Sequence, residues 1–150
     1  MRGDYHTHST LDDGKNSLEE MAAAARAAGL THFGFSGHSY CPLEEDYCIP
    51  REKIPEYLAR ARAVQARYAG EMEVFVGLEL DLLGERPEGL DYAIGSVHTI
   101  CGGDGRHFAV DESPETARQC VEEFFGGDWY RYTDAYYDQV ALLPERTGCD

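Results

Sequence analysis

Hydrophobic and polar positions alternate between two rhythms along the chain. Residues 17–30, SLEEMAAAARAAGL, open with a serine that has a glutamate three positions on and stop at a glycine, which predicts an alanine-rich helix with a capping box. Residues 31–38, THFGFSGH, form a short apolar and aromatic run ending in glycine and histidine, the pattern of a buried strand. Residues 51–70 place Tyr57, Leu58, Ala61 and Val64 on one side and arginines on the other, predicting an amphipathic helix with Pro55 in its first turn. Residues 73–83, EVFVGLELDLL, are almost continuously apolar, as expected of a strand covered on both faces. Residues 4–8 and 90–100 read as further strands, and residues 113–127 and 128–148 as two consecutive helical segments after a glycine-rich loop. Strands alternating with helices at this spacing predict an α/β fold with βαβ units and a parallel sheet or barrel. No repeat, low-complexity tract or linker interrupts it, so a single domain is expected.

Within that frame, potential ligands fall at the ends of the predicted strands. His6 and His8 end the first, His38 the second and His98 the fourth, while Glu79 lies near the end of the third. In parallel α/β architectures these ends open onto one face, so side chains from four strands would converge. Residues i and i+2 of a strand share a face, which lets His6 and His8 grip one ion. Glu79 sits among apolar residues, where an unpaired carboxylate is costly and cations would remove the penalty. Asp13, in the loop after the first strand, can swing over the same mouth near His38. Imidazole and carboxylate donors without cysteine suit zinc, manganese or iron in sites with open positions.

Each residue alone also has an ordinary explanation. His38 could cap a turn, His98 could bond a carbonyl and Glu79 could face solvent; it is their conjunction at four strand ends that points to a centre. His32, after the glycine helix stop, reads as a surface turn residue, and Asp12 as the solvated member of the Asp12–Asp13 pair. The aromatic residues of DWYRYTDAYYDQ read as core packing, and the acid run 44–46 as a solvated loop. Arg106 is a weak candidate for meeting a phosphate.

Composition narrows the partners. With 28 acidic and 13 basic residues among 150, the formal charge is −15, which disfavours nucleic acid and anionic lipid as partners. No apolar run approaches the roughly 18 residues of a membrane span, and no basic and apolar leader opens the chain, so a cytoplasmic location is expected. Five cysteines at irregular spacing, without a CxxC pair, suggest reduced thiols and neither disulfides nor a thiolate zinc knuckle. Nothing in the sequence sets an oligomeric state.

Taken together, these segments resemble the polymerase and histidinol phosphatase (PHP) superfamily, in its histidinol-phosphatase branch. D-Y-H-T-H-S with Asp13-Gly14 matches the first motif; F-S-G-H resembles the second, with Gly37 where an acid is usual. Gly77-Leu78-Glu79 resembles G-x-E, Gly95-Ser96-Val97-His98 resembles G-S-x-H, and residues 108–113 resemble the branch's F-x-V-D-x-S phrase. The resemblance implies a distorted (βα)7 TIM-like barrel of which residues 1–150 supply the N-terminal portion, about four βα units, leaving the PHP domain incomplete at its C-terminus. It also implies a trinuclear site: His6, His8 and Glu79 on one metal, Glu79 and His98 on a second, Asp13 with His38 on a third. No catalytic or substrate-binding residue beyond these ligands is implied. The later G-H-x-D and D-x-H motifs are absent, although T-G-C-D at residues 147–150 resembles the start of the strand leading to G-H-x-D.

The expected activity is metal-dependent hydrolysis of L-histidinol phosphate to L-histidinol and phosphate in histidine biosynthesis, the substrate being a small phosphate ester. Two alternatives stand beside it: a PHP phosphoesterase acting on nucleotides or another small ester, and a metal-binding fragment without turnover.

Overall fold

Val74, Val76, Leu78 and Leu80 are buried on one face of a long strand, while Phe75, Gly77, Glu79 and Asp81 point to the other; this alternation organises the molecule. The computed structural model describes residues 2–43 and 46–150, so Glu44 and Glu45 of the acid run lie outside the described residues, and Asp46 is exposed. Four parallel strands, β1 (Gly3–Asp4), β2 (His32–Phe35), β3 (Glu73–Asp81) and β4 (Tyr92–Ser96), pair in chain order. The register sets Phe33 beside Val74 and Glu79 beside Ile94.

Helix α1 (Leu18–Ala27) begins as expected: the Ser17 side chain accepts from the Glu20 N–H, and the Glu20 carboxylate reaches back to the Ser17 N–H. It buries Leu18, Ala22 and Ala25; α2 (Ile54–Arg67), entered through a 3-10 turn at Arg51–Lys53, buries Tyr57, Ala61 and Val64. Together with Phe33, Phe35, Val74, Val76, Leu78 and Leu80 these side chains form the main core. Burying a leucine such as Leu78 or Leu80 stabilises the fold by about 1.5–3 kcal/mol each.

The opposite face is filled from β4. A Cβ on Gly34 or Gly77 would lie 2.4 Å from atoms of the Tyr92 side chain, so glycine at both positions leaves room for that ring. The Tyr92 hydroxyl lies 2.6 Å from the carbonyl oxygen of Tyr5 and 2.9 Å from that of Phe35, tying the last strand of the sheet to the first two segments.

Several sequence expectations change. Strand β1 is only two residues long, and His6 and His8 lie beyond its end. Alternation nonetheless persists, because side chains reinforce the one backbone bond that continues there, Ser36 N–H to Thr7 O (3.1 Å): Thr7 N–H donates to Ser36 Oγ (2.8 Å), and Thr7 Oγ1 donates to the Gly34 carbonyl (2.8 Å). Residues 82–91 join β3 to β4 without a helix. The fourth predicted strand breaks at His98, after which β5 (Thr99–Cys101) and β6 (His107–Ala109) form an antiparallel hairpin across the glycine-rich loop.

Helices α3 (Pro114–Phe124), α4 (Trp129–Val140) and α5 (Leu143–Thr147) follow. Ile100, Phe108 and Cys120 make a second small core, packed by Phe124, Phe125, Tyr132 and Tyr136. Only Tyr132 and Tyr136 of the α4 aromatics join it. Trp129, Tyr130 and Tyr137 stay exposed, contrary to the core reading, because only the side of α4 that carries Tyr132 and Tyr136 packs on that cluster. The final residue returns to β4, with the Asp150 N–H donating to Ala93 O at 3.1 Å and its carboxylate accepting from the Ala93 N–H. Among the described residues, no helix is long and apolar enough to cross a membrane.

Candidate metal centre

Past the C-terminal end of β2, the backbone bends along β3 through an isolated bridge between His38 and Glu79: Glu79 N–H donates to Gly37 O (3.1 Å) and Ser39 N–H to Glu79 O (2.8 Å). That bridge sets the second imidazole segment beside the carboxylate of the third. Glu79 is 5% exposed, and Oε2 lies 2.9 Å from His6 Nε2, 3.6 Å from His8 Nε2 and 3.5 Å from His38 Nδ1. Its Oε1 lies 3.3 Å from His98 Nε2. One buried carboxylate thus faces four imidazoles from three chain segments besides its own. The rings are close, with centroids 5.2 Å apart for His6–His8, 4.4 Å for His8–His38 and 5.0 Å for His38–His98.

Asp13 stands at the rim, 51% exposed, 3.4 Å from His8 Nδ1 and 3.9 Å from His38 Nε2. All six residues picked out as ligand candidates therefore meet in one place. Their donor atoms fall into three overlapping groups within 4.8 Å: His6, His8 and Glu79; His8, Asp13 and His38; His38, Glu79 and His98. His32 and His107 lie elsewhere. His32 opens β2 rather than occupying a surface turn, its ring stacked on Phe75 and its Nδ1 2.9 Å from Thr31 Oγ1.

Two buried carboxylates escaped the sequence reading. Asp12, expected in solvent, has a fully buried side chain 2.7 Å from His8 Nδ1, and also accepts from the backbone N–H groups of Ser9 and His38. Asp81, two residues after Glu79 and on the same strand face, is 3.3 Å from His98 Nδ1. The period of two on β3 carried that signal, since any strand residue i+2 from a candidate ligand shares its face.

These contacts govern ionisation. Burial works to raise the Glu79 pKa, but the His98 hydrogen bond and the charges of His38 and His6 outweigh it and hold it at about 2. Burial likewise works to lower His98, yet Asp81 and Glu79 lift it to about 10. The Asp12 hydrogen bond raises His8, while burial chiefly lowers His38. Burial pushes the Cys41 thiol up to about 12, so it stays protonated and donates to Asp81 rather than joining the donor set.

The donor chemistry fits divalent metal ions: nitrogen and oxygen atoms aimed at common points, with buried negative charge and no thiolate. Beside the cluster opens a cleft of about 560 Å³, lined by Asp13, His38, Tyr47, His98, Asp111 and Glu112. The Tyr47 ring is 4.9 Å from that of His38 and 5.9 Å from that of His98. Arg106 is not free to meet a phosphate there, being paired with Asp104 and Glu123.

The family model described as the PHP domain matches residues 4–148. The chain belongs to the PHP family. A Deinococcus radiodurans protein named "Probable histidinol-phosphatase" is 33% identical over 152 residues, covering 93% of this chain and 54% of that protein. The "DNA polymerase/3'-5' exonuclease PolX" of Bacillus subtilis is 31% identical over 93 residues, covering 61% of this chain and 15% of that protein. Among solved structures, a candidate histidinol phosphatase of Listeria monocytogenes superposes with a TM-score of 0.78 at 18% identity, over 94% of this chain and 60% of that one. Histidinol phosphate phosphatase of Lactococcus lactis, complexed with zinc, L-histidinol and phosphate, gives a TM-score of 0.53 at 24% identity, over 79% of this chain and 49% of that one. The four parallel strands are accordingly part of a PHP barrel, and this PHP chain spans about half the length of the curated histidinol-phosphatase relative it matches.

Proposed function

We propose that this chain is the N-terminal part of a metal-dependent phosphomonoesterase that hydrolyses L-histidinol phosphate, in a cytoplasmic step of histidine biosynthesis. The observation that carries the reading is the single buried carboxylate of Glu79 facing His6, His8, His38 and His98, with Asp13 at the rim. In this reading His6, His8 and Glu79 hold one ion, Glu79 and His98 a second, and Asp13 with His38 a third, the ions being zinc, manganese or iron. When bound, such ions supply Lewis-acid stabilisation of phosphoryl oxygens and a nucleophile at neutral pH.

The chain's own residues do the rest. Glu79, kept ionised by its imidazole partners, turns Oε2 toward three of the histidines and Oε1 toward the fourth, so that one carboxylate serves two positions. Asp111 and Glu112 at the cleft, with exposed Asp46 beside them, favour a leaving group that carries positive charge. An amino alcohol phosphate has that character. The names of the Deinococcus and Lactococcus relatives support the same substrate.

A second reading, a nucleotide or other small phosphate ester, draws on the PolX similarity. Phosphate release from L-histidinol phosphate and from nucleoside monophosphates, with metal content measured in parallel, tests both. Preference for L-histidinol phosphate is expected, and preference for a nucleotide overturns the first reading. Bound metal without turnover of either would mark a metal-binding segment that needs further ligands.

A further inference from the structure

The geometry points to Asp12 and Asp81 as a matched pair of positioning residues that hold His8 and His98 with Nδ1 protonated and Nε2 turned toward the metal centre. This inference rests on the metal-centre reading above. The two imidazoles come from different segments, yet they are oriented alike. In His8, Nδ1 is 2.7 Å from Asp12 Oδ2 and Nε2 is 3.6 Å from Glu79; in His98, Nδ1 is 3.3 Å from Asp81 Oδ2 and Nε2 is 3.3 Å from Glu79. An ionised carboxylate only accepts hydrogen bonds, so the contacts with Asp12 and Asp81 each call for a proton on Nδ1, and a cation beside Glu79 would displace any proton from Nε2 and take its lone pair while Nδ1–H stays with the aspartate.

Both carboxylates are themselves immobilised, which is what a positioning role requires. Asp12 Oδ1 accepts from Ser9 N–H (2.8 Å) and Ser9 Oγ (3.2 Å), while Oδ2 also accepts from the His38 N–H (3.2 Å). Asp81 Oδ1 accepts from Leu83 N–H (2.9 Å) and the Cys41 thiol (3.5 Å), and Oδ2 also accepts from the His98 N–H (3.3 Å). His38 lacks this arrangement: its Nδ1 faces Glu79 and its Nε2 faces Asp13.

A consequence concerns the sharing of ligands. His8 belongs to two of the three overlapping donor groups. With Nδ1 committed to Asp12, it has one nitrogen to give, and Nε2 faces Glu79. His8 is thereby assigned to the ion held with His6 and Glu79, and Asp13 with His38 are left to act without it.

The test uses zinc as the probe and two variants, Asp12→Asn and Asp81→Asn, each checked for folding by circular dichroism. Imidazole nitrogen-15 spectra of the zinc-loaded chain are expected to show Nδ1–H with Nε2 coordinated for both His8 and His98. Asp12→Asn should lose that signature at His8 alone and Asp81→Asn at His98 alone, each weakening zinc by about 10- to 100-fold in competition with a chelating dye. His32 signals should not move. Zinc bound through Nδ1 in the unmodified chain, or folded variants with unchanged spectra and affinity, would overturn the proposal. Should one variant fail to fold, the other variant and the unmodified spectrum decide the outcome. An unmodified chain that binds no zinc would instead count against the metal-centre reading, and the protonated nitrogen would then be read in the metal-free spectrum, where Nε2–H in place of Nδ1–H again refutes the assignment.

Discussion

Replacing Tyr57 by phenylalanine removes one oxygen from the middle of the protein and nothing else. The ring is fully buried in α2, and its hydroxyl donates to the Gly77 carbonyl at 2.8 Å while accepting from the Gly37 N–H at 3.2 Å. Phenylalanine keeps the apolar burial but leaves the buried Gly37 N–H without that acceptor. An unsatisfied buried donor costs about 1–3 kcal/mol. For a chain of 150 residues, each kcal/mol moves Tm by about 2–4 °C, so Tyr57→Phe should melt roughly 2–12 °C lower. Urea titration should show the same loss as a lower midpoint at unchanged m. Tyr130→Phe, at an 84% exposed position, is the control and should be neutral. Because Gly37 precedes His38 and Gly77 lies two residues before Glu79, the same hydroxyl braces two of the candidate ligand segments. A loss below about 0.5 kcal/mol would refute the claim that this bond holds them together.

Other perturbations follow the same logic. Gly77→Ala would set a Cβ within 2.4–2.8 Å of three Tyr92 ring atoms, so it should cost about 1–3 kcal/mol by thermal melting, whereas Gly103→Ala, with nothing within 4 Å, should not. Burial works to raise Asp91, but bonds from Arg62, the Val76 N–H and Gln65 hold it below the ordinary aspartate range. Its folded pKa lies under the unfolded one, so its stabilisation is present above about pH 4 and is lost as pH falls further; urea midpoints of Asp91→Asn should fall less steeply with acid, and parallel curves would refute this. Glu79→Gln should abolish stoichiometric zinc binding, read by elemental analysis, while His32→Ala should retain it.

Long-period signals were legible from the chain alone. The almost continuous apolar run of residues 73–83 predicted the central strand, Ser17 with Glu20 predicted the start of α1, and the histidines and glutamate of four segments predicted a common site. What escaped depends on pairings with no local signature. Asp12 looks like half of a solvated acidic pair, because the His38 N–H that helps bury it is 26 residues away. The β5–β6 hairpin was hidden because its strands are three residues each and its first continued the apolar run of β4. The α4 aromatics were misread since helical spacing reveals a face without saying whether another element covers it.

The Tyr92 hydroxyl reaches past β3 to the carbonyl of Phe35 in β2 and to that of Tyr5, one residue before His6. A sheet built strand beside strand would otherwise let its first edge fray independently of its last. This phenol makes opening at one edge felt at the other, so the segment bearing His6 and His8 should exchange its amide hydrogens on the schedule of the central strands rather than on that of a loose N-terminus.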